Sequence, residues 1–506
     1  MTSVWSARSR QKQWWLRIFA SLGVSASITL AAVAFLAPRP AHLGGRTTGD
    51  HQLAERVRTA VGASPGYRGL SVAFIDRDQI RLAGLGDSGN PERPEVDEST
   101  VFEAGSLGKP MTGMLLAELS EHDRLLLDSP LERLLPSMQF DDPALKSVTL
   151  RDLASHRSGL DQMPSNIDMF LRDASSRIFG NDPYRGITEK DIFAAAENAA
   201  ASSVGRFQYS NLGMALAGHT AARVAGKPYV ELLKYHVLTP LQMNSTKIVQ
   251  READIPARSA TGQKAAGATM QHWLASGYSP AGDIWTTSKD MALLLRSVAL
   301  GVGPGADAAT PRFEAGHARR IGLGWYTTSM EGRDITWHDG ATGGFTSYMG
   351  FDRNSKQGVV VLSNTDQPVV AIGQRLLGLT PDGPQPRSPR TAVTLLCIAG
   401  AALPALYVML LRRPTALHRT YLILSLAFGT TLLALVRRLG DWLTVPPTSW
   451  ALGCGLLALV ACQSATKRTS TASHPHAPSP LKTALLGSRF AMLLLAFLLL
   501  ATVAVL

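Results

Sequence analysis

Phe102-Glu103-Ala104-Gly105-Ser106-Leu107-Gly108-Lys109-Pro110-Met111-Thr112 sets a serine and a lysine three residues apart, at the head of an apolar run (Met111, Met114, Leu115, Leu116, Leu119) at helical spacing. Residues three apart share a helix face, so the amine and the hydroxyl are predicted to meet at the start of a core-facing helix. A serine hydroxyl is a poor nucleophile until a base takes its proton, and a lysine is such a base only when desolvation or neighbours lower its pKa. The helix N-terminus adds partial positive charge where an oxyanion would form. The tetrapeptide Ser-x-x-Lys decides nothing alone, because it occurs at Ser9, Ser106, Ser464 and Ser479, and a serine here also suits a plain helix cap. Only Ser106 opens an amphipathic helix inside a globular region.

The chain has 506 residues and a formal charge of +11, but that charge is uneven. Residues 1–46 hold six Lys/Arg and no acid, residues 387–506 hold eleven Lys/Arg and one acid, and the middle is left with a net charge of −5. The basic excess flanks apolar segments, as charge does at a membrane. Nucleic-acid binding would need a basic stripe on the globular part, and the sequence offers none. Arg8, Arg10, Lys12 and Arg17 precede an apolar run from Ile18 to Ala37, long enough to span a bilayer. With no small-x-small cleavage site after it, the run is expected to be an uncleaved signal anchor rather than a removed signal peptide. The expected domains are therefore a cytoplasmic basic tail and anchor (1–46), an exported domain (47–380), a Pro-rich linker (381–390) and about four transmembrane helices (391–506). A three-span alternative stands, because the run near 449–463 is short. The cysteines Cys397, Cys454 and Cys462 all fall in the C-terminal part, so the exported domain has no disulfide, thiolate metal site or cysteine nucleophile. No metal or cofactor is expected.

Within the middle domain, residues 43–49 read as a linker and 51–62 as an amphipathic helix. Residues 70–75 and 79–85 alternate as two strands around Asp76-Arg77-Asp78. Residues 149–160 read as a capped helix ending at Gly159, with His156 bracing the turn, and a loop-rich segment runs on to Gly186. Helical stretches are expected at 189–201, 211–225 and 228–236. Phe207-Gln208-Tyr209-Ser210-Asn211 can point a tyrosine and an asparagine into one cleft, although a packed tyrosine and a capping asparagine would look the same. From Ile321 onward, short alternating runs broken by Gly, Asp and Asn suit an antiparallel sheet. Among them, His338-Asp339-Gly340-Ala341-Thr342-Gly343-Gly344-Phe345 carries glycines that permit close backbone approach. Trp325 reads as core.

Ser106-Leu107-Gly108-Lys109, Tyr209-Ser210-Asn211 and His338-Asp339-Gly340, in that order, resemble the serine β-lactamase and penicillin-binding superfamily. The class C-like branch, with its D,D-carboxypeptidases and endopeptidases, class C β-lactamases and related esterases, looks most similar. The resemblance covers roughly residues 50–378. It implies an α/β (α+β) fold: an antiparallel sheet with strands from both ends of the domain, flanking helices and an inserted helical subdomain. It also implies that Ser106 is the acylated nucleophile, Lys109 its base and Tyr209 the proton shuttle. Asn211 would hold the substrate amide. Gly340 would line the substrate site, and the backbone N–H groups of Ser106 and Ala341 would form the oxyanion hole. His338 stands where many relatives carry the lysine of Lys-Thr-Gly; it would bind the substrate carboxylate or tune Tyr209, and the departure weakens the expectation of β-lactam hydrolysis.

The chain thus reads as a membrane-anchored serine hydrolase whose partners are a peptide or β-lactam-like small substrate and the membrane. D,D-peptidase-type cleavage of D-amino-acid peptides comes first. Alternatives are a β-lactamase, an esterase or amidase, a penicillin sensor without turnover, and a peptidase removing an acyl-D-amino-acid prodrug cap.

Overall fold

The computed structural model describes residues 2–122, 127–164, 166–274, 276–381, 390–410 and 416–466. Two compact units emerge: Ala41–Gly383, and a second made of Met1–Pro40 with Pro384–Leu506.

The first unit is built on two strands whose residues are buried on both sides. Strands β1 (Thr47–Gly49), β2 (Gly69–Asp76) and β3 (Gln79–Gly86) come from the N-terminal end of the unit. Three short strands, β4 (Phe102–Glu103), β5 (Lys247–Ile248) and β6 (Ile284–Thr286), form a separate small sheet. From the C-terminal end come β7 (Phe313–Glu314), β8 (Arg319–Ile321), β9 (Tyr326–Met330), β10 (Arg333–Ala341), β11 (Thr346–Asp352) and β12 (Gln357–Ser363). The nine-stranded sheet runs β1-β3-β2-β12-β11-β10-β9-β8-β7, and all its pairs are antiparallel. Its two ends join at β2 and β12, in register from Asp76 opposite Gln357 to Leu70 opposite Ser363.

Side chains alternate across a strand, so the apolar run Val359-Val360-Val361-Leu362 serves two cores. Val360 and Leu362 enter the large core with Ala73, Ile75 and the helices Gly108–Glu121, Asn211–Ala225 and Ser288–Leu300. Val359 and Val361 enter the other with Val72, Phe74 and residues of the helices His51–Val61 and Val370–Leu376. A strand apolar at every position requires cover on both faces, and helices supply it. The chain from β4 to β7, mostly helical and irregular, is inserted between the two groups of sheet strands.

Several expectations change. Residues 47–49 are not linker but edge strand β1, paired with Ala83–Leu85 of β3. The segment expected to be loop-rich up to Gly186 contains the helix Ile167–Phe179, capped by Asn166 and closed by Gly180 in the left-handed region. Its Arg172–Asp168 and Arg177–Asp173 pairs support it from within, while Ile167, Phe170 and Leu171 face solvent, so no core-facing stripe announced it. The helix expected over 149–160 is only Leu150–Ala154. A Thr149/Asp152 capping box opens it, and His156 at φ +57° turns the chain away well before Gly159. Helix Gly108–Glu121 is buried nearly all round as far as Ala117 rather than amphipathic.

In the second unit, Ile18–Leu36, Arg390–Leu410 and Thr420–Leu439 are long and apolar enough to cross a membrane, and Thr448–Ser464 is a shorter apolar helix. Ser25 Oγ donates to the Gly455 carbonyl at 2.7 Å, the close approach that small residues permit between apolar helices. Most of the expected linker, residues 382–389, and the last of the about four expected transmembrane helices, beyond residue 466, lie outside the described residues.

Both cores and every strand among the described residues lie within 41–383, so a protein cut to those residues is expected to unfold in one cooperative transition. Calorimetry checks this; separate transitions, or no native fold, would show that the flanking segments are part of the folding unit.

Candidate active site

Ser106 lies not in the α-helix but in a 3₁₀ turn, Gly105–Leu107, that leads into it. The small sheet aims this turn: Glu103 pairs with Trp285, and the Ala104 amide continues the ladder to the Ile284 carbonyl at 2.8 Å. Ser347 Oγ on β11 donates to the Ala104 carbonyl at 2.7 Å, tying the turn to the large sheet. Gly105 takes φ +52°, and a Cβ there would stand 2.8 Å from Ala341 N. A Cβ on Gly340 would stand 2.1 Å from the Ala104 carbonyl oxygen and 3.0 Å from Ser106 N. Two residues without side chains thus bring the Ser106 turn and the end of β10 into backbone contact.

Lys109 occupies the first turn of the helix, and its side chain is fully buried. Its Nζ lies 2.9 Å from Ser106 Oγ and donates to the Ala281 carbonyl at 2.6 Å. One turn on, Thr112 Oγ1 donates to the Pro280 carbonyl at 2.6 Å, so the helix fixes the strip that holds the amine. Burial drives the Lys109 pKa down to about 7, against the pull of the Asp339 carboxylate.

The third group arrives from the loop before Asn211–Ala225. Tyr209 OH donates to Ser106 Oγ at 2.9 Å, and its ring centroid lies 4.9 Å from Lys109 Nζ. Burial pushes the Tyr209 pKa up, so the phenol keeps its proton. Ser210, not Asn211, caps the helix by accepting from the Gly213 amide at 2.8 Å, which leaves Asn211 to line the cleft. His156 packs its ring 4.5 Å from that of Tyr209 and accepts the Ser210 N–H on Nδ1 at 3.2 Å. It braces the loop from beneath. Burial and nearby Lys109 hold its pKa well below the usual range, so it stays neutral.

His338 is buried on β10, stacked 5.2 Å from the Tyr326 ring. Its Nδ1 donates to the Asp339 carbonyl, which leaves Nε2 as the unprotonated nitrogen. Burial first, and Lys109 second, bring its pKa down to about 3. Trp325 is core, as expected.

The cleft beside Ser106 encloses about 500 Å³ including its mouth, with Asn211, Ala341 and Thr342 on its wall. Tyr184, Trp273, Tyr278 and Trp285 supply aromatic surface, and Glu103 and Asp283 are its acids. Glu103 pairs with His272 at 2.6 Å. Sequence reasoning missed these residues. They come from segments remote in the chain that no local pattern links. Among the described residues, no cluster of three or more His, Cys, Asp or Glu could hold a metal.

A sheet of this topology, with a serine, a buried lysine and a tyrosine converging at the end of β10, defines a serine hydrolase of the β-lactamase and penicillin-binding fold. The β-lactamase family profile matches residues 53–378, and the chain belongs to that family. It is 27% identical over 315 residues to the D-alanyl-D-alanine-carboxypeptidase/endopeptidase AmpH of Escherichia coli, covering 56% of this chain and 76% of that protein. It is 24% identical to a β-lactamase of Pseudomonas fluorescens, covering 59% of this chain and 89% of the other. Among solved structures, the octameric penicillin-binding protein homologue from Pyrococcus abyssi shares the fold at TM-score 0.56 and 23% identity, over 68% of this chain and 80% of the other. The class C β-lactamase from Rhodobacter sphaeroides does so at TM-score 0.54 and 20% identity, over 65% of this chain and all of the other.

Gly340→Val is expected to lower ester hydrolysis by about 10²-fold or more, because a side chain there displaces the Ser106 turn and positioning errors near 1 Å cost that much. Steady-state kinetics on a p-nitrophenyl ester, with circular dichroism to verify folding, checks it.

Proposed function

We propose that the protein is a membrane-anchored serine hydrolase that works through an acyl-enzyme at Ser106, with D,D-peptidase-type cleavage of D-amino-acid peptides as its activity. The observation that carries this is the convergence of Lys109 Nζ and Tyr209 OH, each 2.9 Å from Ser106 Oγ, with the amine brought to about 7. A base poised near the working pH is what general-base activation of a hydroxyl requires.

In this reading neutral Lys109 takes the Ser106 proton as Oγ attacks the scissile carbonyl. Negative charge collects on the carbonyl oxygen, where the amides of Ser106 and Ala341 receive it. As the tetrahedral species collapses, Tyr209 hands a proton to the leaving amine and regains one from the protonated Lys109 beside it. Water then enters on the same side, is deprotonated by the same relay, and releases the acid. Asn211 holds the amide of the acyl part. The relative of Escherichia coli supports the peptidase reading by its name, D-alanyl-D-alanine-carboxypeptidase/endopeptidase. His338 argues against efficient β-lactam turnover: neutral down to about pH 3, it gives a substrate carboxylate no cation where relatives place lysine. The span-length helices at Ile18–Leu36, Arg390–Leu410 and Thr420–Leu439 support anchoring.

Ser106→Ala is expected to abolish turnover of a D-Ala-D-Ala peptide and of a short-chain ester, together with labelling by fluorescent penicillin, while stability falls by no more than about 1 kcal/mol. Labelling that persists would remove Ser106 from the role of nucleophile.

Activity is expected to fall on the acid side with an apparent pKa near 7, as Lys109 takes up its proton. The same shift predicts a stability effect. Between about pH 7 and 10.5 the unfolded chain carries a proton on Lys109 that the folded chain lacks, so stability rises with pH across that window. The stability of the wild type relative to Lys109→Met should climb over that range in denaturant titrations. A flat difference would mean that the amine is charged in the folded state.

His338→Lys is expected to raise acylation by penicillins relative to esters by about tenfold or more, as a charge-assisted contact to the substrate carboxylate is restored. An unchanged ratio would place that specificity elsewhere.

A further inference from the structure

We propose that the leaving portion of the substrate is an acidic peptide segment that docks in a cationic groove beside the catalytic cleft, formed by Arg157, Arg206 and Arg319. This rests on the acyl-enzyme reading and adds to it the chemistry of the leaving group.

The groove encloses about 930 Å³ including its open mouth, and Phe207, Glu314 and His317 share its walls with the three arginines. Arg206 and Arg319 have no ion pair among the described residues, and Arg157 has only Asp152, at 3.9 Å. The Nε atoms of Arg157 and Arg319 are buried without a hydrogen bond. Both guanidinium groups lie over aromatic rings: Arg157 is 4.1 Å from the Phe313 centroid and Arg319 is 5.3 Å from that of Tyr326. A guanidinium oriented by a ring, with donors to spare, is a carboxylate receptor. The turn between β7 and β8 that carries the groove holds His317 at φ +48° and Ala318 at φ +56°. Residues other than glycine seldom adopt that backbone, and such strain gathers at ligand clamps. A patch of three arginines stands out in a middle region whose net charge is −5.

The groove adjoins the loop that carries Tyr209. Phe207 is two residues before Tyr209, the proposed proton donor to the leaving amine, and packs 6.1 Å from Tyr326. Tyr326 in turn stacks on His338. The cleft that holds Asn211 and Ala341 is lined by no lysine or arginine, and its acids are Glu103, paired with His272, and Asp283, whereas the groove sets three arginines against the single acid Glu314. An acidic segment entering there would find no cationic partner on its walls. The two compartments therefore orient a peptide with its neutral acyl part in the aromatic cleft and its acidic part in the arginine groove. This polarity suits cleavage ahead of an acidic extension rather than removal of a single terminal residue.

The test uses the full-length protein in detergent, turning over p-nitrophenyl acetate, with acetyl-D-Ala-D-Ala-Glu-Glu-amide and acetyl-D-Ala-D-Ala-Gln-Gln-amide as competitors. The acidic peptide is expected to compete at about one-tenth the concentration of its neutral counterpart, and the advantage should shrink as ionic strength rises. Arg319→Ala and, separately, the exposed Arg206→Glu should each bring the two peptides to within about twofold, and Arg319→Lys should keep part of the difference. Because the readout is a ratio within each variant, a general change in activity cancels. Equal competition by the two peptides in the wild type, or an advantage that survives both substitutions, overturns the proposal. Failure of the wild type to turn over the ester, or turnover that persists in Ser106→Ala, overturns the acyl-enzyme reading and the proposal with it.

Discussion

Burying an amine is costly unless its charge is compensated or given up, and this constraint organises the molecule around Lys109. The side chain has no ion-pair partner among the described residues and sits fully enclosed at the head of a helix that is itself enclosed. Its hydrogen bonds go to a hydroxyl and a carbonyl, neither of which compensates a full charge. The amine therefore approaches neutrality near pH 7, with the Ser106 hydroxyl 2.9 Å from it. The strain of holding an unpaired lysine is borne by the large core around it, where Met111, Met114, Leu115 and Leu119 pack.

That core exists because the sheet is covered on both faces. Val359 to Leu362 feed two apolar layers alternately, and β2 beside them does the same with Val72, Ala73, Phe74 and Ile75. The pairing of β2 with β12 joins the two ends of the domain across more than 280 residues of chain. Everything between is then free to carry chemistry. The Ser106 turn, the Tyr209 loop, the strip holding Ala281 and the end of β10 meet where the inserted part faces the sheet. Tyr209 is positioned less by its own contacts than by its support, with the His156 ring beneath it and the Ser210 cap fixing the next residue.

His338 shows how one substitution changes a site without disturbing the fold. A lysine at that point of β10 would place a second cation beside Lys109 and lower the amine further. A neutral imidazole removes that repulsion and with it a carboxylate anchor. The positive charge that a substrate anion could use is instead carried by arginines on the far side of Tyr326. Positive charge in this unit thus gathers in the arginine groove rather than beside Ser106.

Much of this was legible in the sequence because it is local. The three-residue spacing of Ser106 and Lys109, the Tyr209-Ser210-Asn211 loop and the glycines around Ala341 follow from short-range rules of periodicity and backbone freedom, whereas β2 and β12, expected to alternate, are buried on both faces. The family resemblance then put the three motifs in one site. The edge strand β1 was lost because a Gly/Thr stretch becomes a strand only when β3 offers its open edge, and the exposed apolar face of Ile167–Phe179 left no core-facing period to read. The aromatic cleft, the arginine groove and the neutrality of His338 were out of reach for a common reason. Each depends on which side chains from distant segments enclose a group and exclude water, and burial of that kind is a property of the packed chain, not of any stretch of it.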